Sequence, residues 1–417
     1  MSEISTTPLT AADGTPLKKK LAQAMFRSKV RATGLVMPLL AFVLISFVIP
    51  ILALMWQGVY NDTFESLMPN LTAELKAWDG VSEPTEEMFA LLAADLEQNR
   101  EDRTIGKVAS RVNQELSGTR SLFTSTARKV KKAKAPYKES LIKIKKDWGD
   151  LEVRQAMKLT NESLTPGYYA TSLDSRYTVD QGFVAEDEKR QIYVKLFMRT
   201  LFISGSVMLL CLLLGYPVAY LLATLPLRYS NLLMIMVLLP FWTSLLVRTT
   251  AWIAILQSQG VVNDLLVWVG ITADDNRFSL IYNMTGTIIA MTHILLPFMI
   301  LPLYSVMKTI PPSYMRAARS LGATPTLAFI KVYMPQTVPG IGAGGLLVFI
   351  LAIGYYITPA LVGGQDGQLI SNMIAYHMQK SLNWSLAAAL GGILLAGVLL
   401  LYWAYDRIIG IDNMKLG

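Results

Sequence analysis

The chain has 417 residues, of which 53% are hydrophobic and only 16% charged; a soluble domain carries about 25% charged residues, so the balance argues for a membrane protein. One cysteine, Cys211, excludes an internal disulfide framework and a multi-cysteine zinc site, and two histidines, His293 and His377, leave little for a His-rich metal centre. The net charge of +8 suits nucleic acid, anionic lipid or membrane-topology signals, and the placement of the charges decides among them.

A membrane-spanning helix needs roughly 17 to 25 mostly apolar residues, and six stretches qualify. Residues 1–33 form a cytoplasmic amino-terminal segment, because Lys18, Lys19, Lys20, Arg27, Lys29 and Arg31 precede the first span, 34–56. That span is too long for a signal peptide and lacks a small-x-small cleavage site, so it is expected to stay as an anchor. Residues 57–198 are different material, with 21 Lys and Arg against 22 Asp and Glu. They are expected to form a mainly helical insertion on the outer face, since long loops translocate regardless of charge. Ser82, Glu83, Pro84, Glu86 and Glu87 mark a helix start, followed by Met88, Leu91, Leu92 and Leu96 at helical spacing. The Lys-rich stretch 121–159 predicts one or two solvated helices. Within it Arg128, Lys129, Lys131, Lys132 and Lys134 sit in a nearly neutral insertion, which argues for a solvated face and against nucleic acid.

Residues 199–417 form the membrane core, with spans expected at 200–222, 231–254, 279–306, 340–362 and 386–405. Pro240 and Arg248 predict a kink or break in the third span. Between the third and fourth, Val262, Leu265, Leu266 and Val269 suit a short helix on the outer surface. Arg228, Lys308, Arg316, Arg319, Lys331, Arg407 and Lys415 then fall on the cytoplasmic side, with both termini inside. Gly340, Gly342, Gly344 and Gly345, like Ala388, Gly392 and Ala396, are expected to permit close helix packing.

The most informative segment is the cytoplasmic loop 308–338. Pro311, Pro312 and Ser313 mark a helix entrance, Ala317 and Ala318 are strong helix formers, and Gly322 permits a turn before a second short helix ending near Pro335. Small residues at Ala317, Ala318, Gly322 and Ala323 let another surface approach the backbone, and Phe329 supplies an apolar anchor. This loop resembles the cytoplasmic signature of the membrane permease subunits of binding-protein-dependent ABC importers. Ala317, Ala318, Gly322, Ala323, Phe329 and Pro335 match its spacing, Val332 and Met334 are mild replacements, and Arg316 stands where the family has Glu. The stretches Pro240–Ser244 with Val247–Thr249, Ala251 and Trp252, Leu296–Met299, and Tyr356–Pro359 resemble the spermidine and putrescine branch. The resemblance spans the first helix and the chain from about Thr200 onward, and leaves out the insertion.

The resemblance implies an all-α, six-helix type I importer permease in the inner membrane, with the insertion between its first and second helices. It implies that the loop is a coupling helix seated on a separate ABC ATPase subunit. A second permease subunit (a heterodimer), an external solute-binding protein and membrane lipid complete the surroundings, and a polyamine, a related small organic cation or an amino-acid derivative is the solute. No G-x-x-x-x-G-K-[ST] motif occurs, so ATP is expected on the partner subunit, with no cofactor or metal in this chain and no enzyme activity of its own. An ion-coupled secondary transporter, or a membrane-anchored interaction protein built around the insertion, are the alternatives; the absence of carboxylates deep in the spans counts against the former. Candidate path residues are Trp242, Arg248, His293, Tyr355 and Tyr356. Outward snorkelling is the simplest expectation for Arg248, and a helix-to-helix hydrogen bond for His293.

Overall fold

The computed structural model describes residues 17–409; the first part of the predicted cytoplasmic segment, and Lys415, lie outside them. The chain divides into two units, Met1–Trp56 and Gln57–Gly417. The first is helical, with α1 (Leu17–Val43), a π-helical turn (Leu44–Val48) and α2 (Ile49–Gln57). Pro50 has no N–H to return to Ser46, and the wide turn just before it absorbs the missing bond. Ser28–Gln57 is long and apolar enough to cross a membrane.

The second unit opens with the insertion: α3 (Thr63–Leu67), α4 (Pro69–Ala77), α5 (Glu86–Glu101), α6 (Ile105–Glu115), α7 (Thr119–Lys129), α8 (Tyr137–Ile144), α9 (Leu151–Asn161) and α10 (Gly167–Ser172). The α5 start falls at Thr85, whose hydroxyl accepts the Met88 N–H at 3.1 Å, with Glu86 and Glu87 in the first turn facing the positive end of the dipole. Asp95 of α5 is buried and caps α4 in turn, accepting from the Leu71 N–H at 2.9 Å and from Asn70 Nδ2 at 2.7 Å. The stretch 121–159 is not solvated. Its helices are amphipathic and close a core in which Leu122, Phe123, Leu141 and Trp148 are fully or almost fully buried, while the lysines line the other face. Lys131 there pairs with Glu101 at 2.8 Å, both exposed, as a solvated face requires. A two-stranded antiparallel hairpin, β1 (Ser175–Thr178) with β2 (Gly182–Ala185), ends the insertion.

The membrane core begins at Tyr193, a few residues before the expected boundary, with α11 (Tyr193–Thr224). The third span is not one helix. It comprises α12 (Leu227–Leu238), a 3-10 turn (Leu239–Trp242) and α13 (Leu245–Leu256), because Pro240 cannot donate and Ser244 starts a new helix by accepting the Val247 N–H at 3.2 Å. Next come α14 (Val261–Trp268), the short helix expected there, and α15 (Met284–Thr309). The loop then holds α16 (Pro312–Ser320), α17 (Pro325–Ala328), a π-helical turn (Phe329–Tyr333) and α18 (Met334–Gln336). The fifth span, expected over 340–362, is α19 (Val338–Gly354), bent by 60° from the helical segment before it and separate from α20 (Ile357–Val362). Finally come α21 (Ile370–Gln379), which the hydropathy reading missed, and α22 (Trp384–Ile409). Among the described residues five stretches are long and apolar enough to cross a membrane, Ser28–Gln57, Tyr193–Thr224, Leu245–Trp268 (α13 with α14, in place of the expected 231–254), Met284–Thr309 and Trp384–Arg407, or six with the bent pair.

Helices α11, α15 and α19 pack together through Val207, Cys211, Met291, Leu295, Met299 and Val348. Gly344 is required there: a Cβ on it would lie 2.8 Å from Met299 Sδ and 3.1 Å from the Met299 carbonyl oxygen. In α22, Ala388 and Gly392 are buried, whereas Ala396 faces outward. The insertion joins this core without a slack linker. Asp174 accepts the Ile192, Tyr193 and Val194 N–H groups at 2.8–3.0 Å, capping α11, and Asn61 donates to Tyr168 Oη at 2.9 Å and Ser385 Oγ at 3.2 Å.

His377 on α21 belongs to the same junction, buried, with Nε2 2.9 Å from Tyr193 Oη and Nδ1 2.9 Å from Ser381 Oγ. Burial holds its pKa below the ordinary histidine value. A depressed folded-state value means that the stabilisation is complete above the unfolded-state pKa, about 6.5, and is lost as the pH falls through the folded one. Limited proteolysis near residue 190 should therefore accelerate on acidification from about pH 8 to about pH 5, and His377→Gln should flatten that dependence. An unchanged profile in the variant would assign the acid sensitivity elsewhere.

Candidate functional site

Two groups of residues singled out from the sequence occupy separate places. The first is the loop after α15. Pro312 begins α16 at the position where its missing N–H costs nothing. The helix ends with the Ala323 N–H bonded to the Ala318 carbonyl at 3.1 Å and the Gly322 N–H to that of Arg319 at 3.0 Å, closing over Gly322 at φ 91°. Thr324 then starts α17, its hydroxyl accepting the Leu327 N–H at 3.3 Å. The helix–turn–helix expected from the sequence is present, although its second arm is only a four-residue α-helix that widens into a π-turn before Pro335.

Phe329 is an anchor, but it faces inward. Its ring stacks on Tyr333 at 5.5 Å and meets Tyr220 and Tyr216 of α11 edge-on at 5.3 and 6.2 Å. Tyr216 Oη lies 3.1 Å from Thr337 Oγ1, which fixes the same corner. Arg316 and Arg319 line a cleft of about 600 Å³ between the loop and the ends of α11 and α15. The outward apolar residues are ones the sequence reading did not select: Leu321, 88% exposed, with Tyr314, Leu327 and Ile330. Ala317 is exposed, and Ala318 and Ala323 are half-buried, so the backbone beside Gly322 is open to a partner surface. The loop's inner side is held against α11 through aromatic rings, and its exposed side carries Tyr314, Leu321, Leu327 and Ile330 beside Arg316 and Arg319.

The second group lies where α13, α15 and the α19–α20 break meet. Trp252 Nε1 donates to His293 Nδ1 at 3.1 Å, which leaves the imidazole proton on Nε2. Arg248 is half-buried, with its Nε and Nη1 buried in the neighbourhood of His293 and Tyr355. The break is held open by α21, Ser371 Oγ donating to the Tyr355 carbonyl at 2.6 Å and Asn372 Nδ2 to the Tyr356 carbonyl at 2.8 Å. A buried contact of 3.2 Å between Thr249 and Thr358 ties α13 to α20. Arg248, His293 and Tyr355 therefore come together with Trp252. Tyr356 is 41% exposed at the edge, and Trp242 is 85% exposed and stands apart, its neighbour Phe241 packing on Phe298 instead. Among the described residues no cluster of His, Cys, Asp and Glu could hold a metal ion.

Residues 212–409 match the family described as binding-protein-dependent transport system inner membrane component. The spermidine/putrescine transport system permease protein PotB of Escherichia coli is 35% identical over 221 residues, covering 52% of this chain and 80% of that protein. PotB of Haemophilus influenzae is 35% identical over 225 residues, covering 54% and 78%. A solved bacterial ABC transporter involved in import of the acidic polysaccharide alginate overlays with a TM-score of 0.42 at 20% identity, covering 58% of this chain and 88% of that one. The family match begins after the insertion.

Proposed function

We propose, from the premise that this chain belongs to the inner membrane permease components of binding-protein-dependent ABC importers, that it forms half of an ATP-driven path for a polyamine, a related small organic cation or an amino-acid derivative. The chain is a transport subunit and not an enzyme; ATP binds and is hydrolysed on separate ATPase subunits, and an external binding protein delivers the solute. A second, non-identical permease subunit supplies the other half of the path. Both termini and the loop 308–338 face the cytoplasm, and the insertion faces outward, where it adds a contact for the binding protein or the second permease.

The observation that carries this reading is the loop: an apolar outward side around Gly322 and an inner side locked to α11 by Phe329. An ATPase cleft closing on Ala317, Ala318, Gly322 and Ala323 would pull the cytoplasmic ends of α11 and α15 with it, and Pro335 places the stiff end of that lever beside the bend into α19. Arg316 is exposed on the rim of the inner cleft, where the family has Glu. The substrate reading rests on the similarity to PotB, and Trp252 and Tyr355 offer aromatic faces of the kind that attract organic cations.

The test is reconstitution of the chain with its ATPase subunits, second permease and binding protein in lipid vesicles. Solute-loaded binding protein should stimulate ATP hydrolysis and uptake, and removal of residues 312–335 should abolish the stimulation. Uptake driven by an ion gradient in the absence of any ATPase would overturn the proposal.

A further inference from the structure

Arg248 has no ion-pair partner among the described residues. It projects from the first turn of α13, where the helix dipole adds to a positive charge and does not offset it. Its Nε and Nη1 are buried and have no hydrogen-bond partner among the described residues. The groups it faces, His293 and Tyr355, are not carboxylates, and His293 Nδ1 already accepts from Trp252. None of the described acidic side chains of the core pairs with it: Asp264 and Asp274 pair with Arg277 at 2.7 and 2.6 Å, Asp366 lies 3.9 Å from Arg199, and Asp275 and Asp406 are exposed. An ionised side chain at membrane depth is costly unless another charge meets it.

We infer that Arg248 is one half of an ion pair completed by a carboxylate from a membrane span of the second permease subunit. This rests on the two-permease reading given above. A second consideration converges on the same group, because negative charge favours a cationic solute, and this chain's half places one cation, a histidine, a tryptophan and a tyrosine there. The pair then acts as a gate. With the path empty the carboxylate is neutralised by Arg248; when the solute enters, its ammonium group displaces the guanidinium and takes over the carboxylate. Arg248 is thus a positioning and specificity residue, returning the path to a closed, charge-balanced state after each release.

The experiment uses the assembled importer in a Cys211→Ala background. Cysteine replaces Arg248 and, one at a time, each acidic residue within the membrane spans of the second permease. A disulfide under mild oxidation at one of those positions, more abundant without solute than with it, is expected. Arg248→Glu should lower uptake at least about tenfold, and replacing the partner acid with Arg should restore most of it. Absence of a disulfide at every acidic position would overturn the inference, as would wild-type uptake by Arg248→Gln. A loss confined to solutes bearing a carboxylate would also overturn it, by assigning the counter-charge to the substrate. Cross-linking reads the pair without reference to transport, so a wild-type complex that ignores loaded binding protein would sink the importer reading and leave the cross-linking result to stand or fall alone.

Discussion

In Gly322→Asp, ATP hydrolysis by the assembled importer should no longer rise when loaded binding protein is added, while the complex still assembles in the membrane. Space is not the reason, since a Cβ at Gly322 would meet no atom within 4 Å. Conformation is the reason: φ is 91°, and an L side chain in that region costs about 1–2 kcal/mol. The cheapest relief is to unwind the hydrogen bonds from Gly322 and Ala323 that close α16, which moves Leu321 and the α17 entrance off the surface offered to the ATPase. The added carboxylate compounds this by placing a hydrated charge among apolar contacts. A fall in stimulation of at least about tenfold is expected, and Gly322→Ala, with the strain but not the charge, should fall between the two. Stimulation at the wild-type level in Gly322→Asp would sink the assignment of this turn to coupling.

Trp148→Ala should unfold the insertion while sparing the membrane core. Trp148 is fully buried, donates from Nε1 to Thr126 Oγ1 at 2.9 Å, and meets Phe123 edge-on at 5.1 Å. Truncating a buried aromatic of this size costs about 3–5 kcal/mol, a large share of the roughly 5–15 kcal/mol that holds a domain together. Protease cleavage should appear within residues 86–161 at concentrations that leave the wild type intact, with α11 to α22 still protected. If the insertion contributes a docking contact, binding-protein stimulation falls with it; unchanged uptake in a proteolytically opened insertion would remove it from the transport mechanism.

The spans and the helix–turn–helix of the loop 308–338 are legible because each rests on local signals: runs of apolar residues, a proline at a helix start, and a glycine at a turn. Where the reading failed, tertiary packing had overruled composition. The 121–159 stretch looked solvated because lysines dominate the count, yet Leu122, Phe123, Thr126 and Val130 recur on one face and are buried. The break in the third span is legible from Pro240, but its mechanism is not: Ser244 restarts a helix two residues after the 3-10 turn. The β1–β2 hairpin did carry a signal, the Asp180–Gly182 turn with Gly182 at φ 68°, but the strands are too short to stand out. Arg248 is visible in the sequence as a charge near a span end, and only the fold shows that its Nε and Nη1 are buried. His377 left no trace in any motif, since its partner Tyr193 is 184 positions away.

The Asp174 cap gives the insertion a practical use. Because its carboxylate grips the first N–H groups of α11, and Asn61 and Tyr168 brace the same domain against the start of α22, the insertion should tilt with those helices and not swing on a hinge. A fluorophore pair with one dye on the insertion and the other on the proposed second permease would then read out helix rotation during the proposed transport cycle without a label inside the helix bundle. The same stiffness makes the insertion a ready fiducial for aligning single-particle images of the membrane part of the complex, which detergent or lipid otherwise hides.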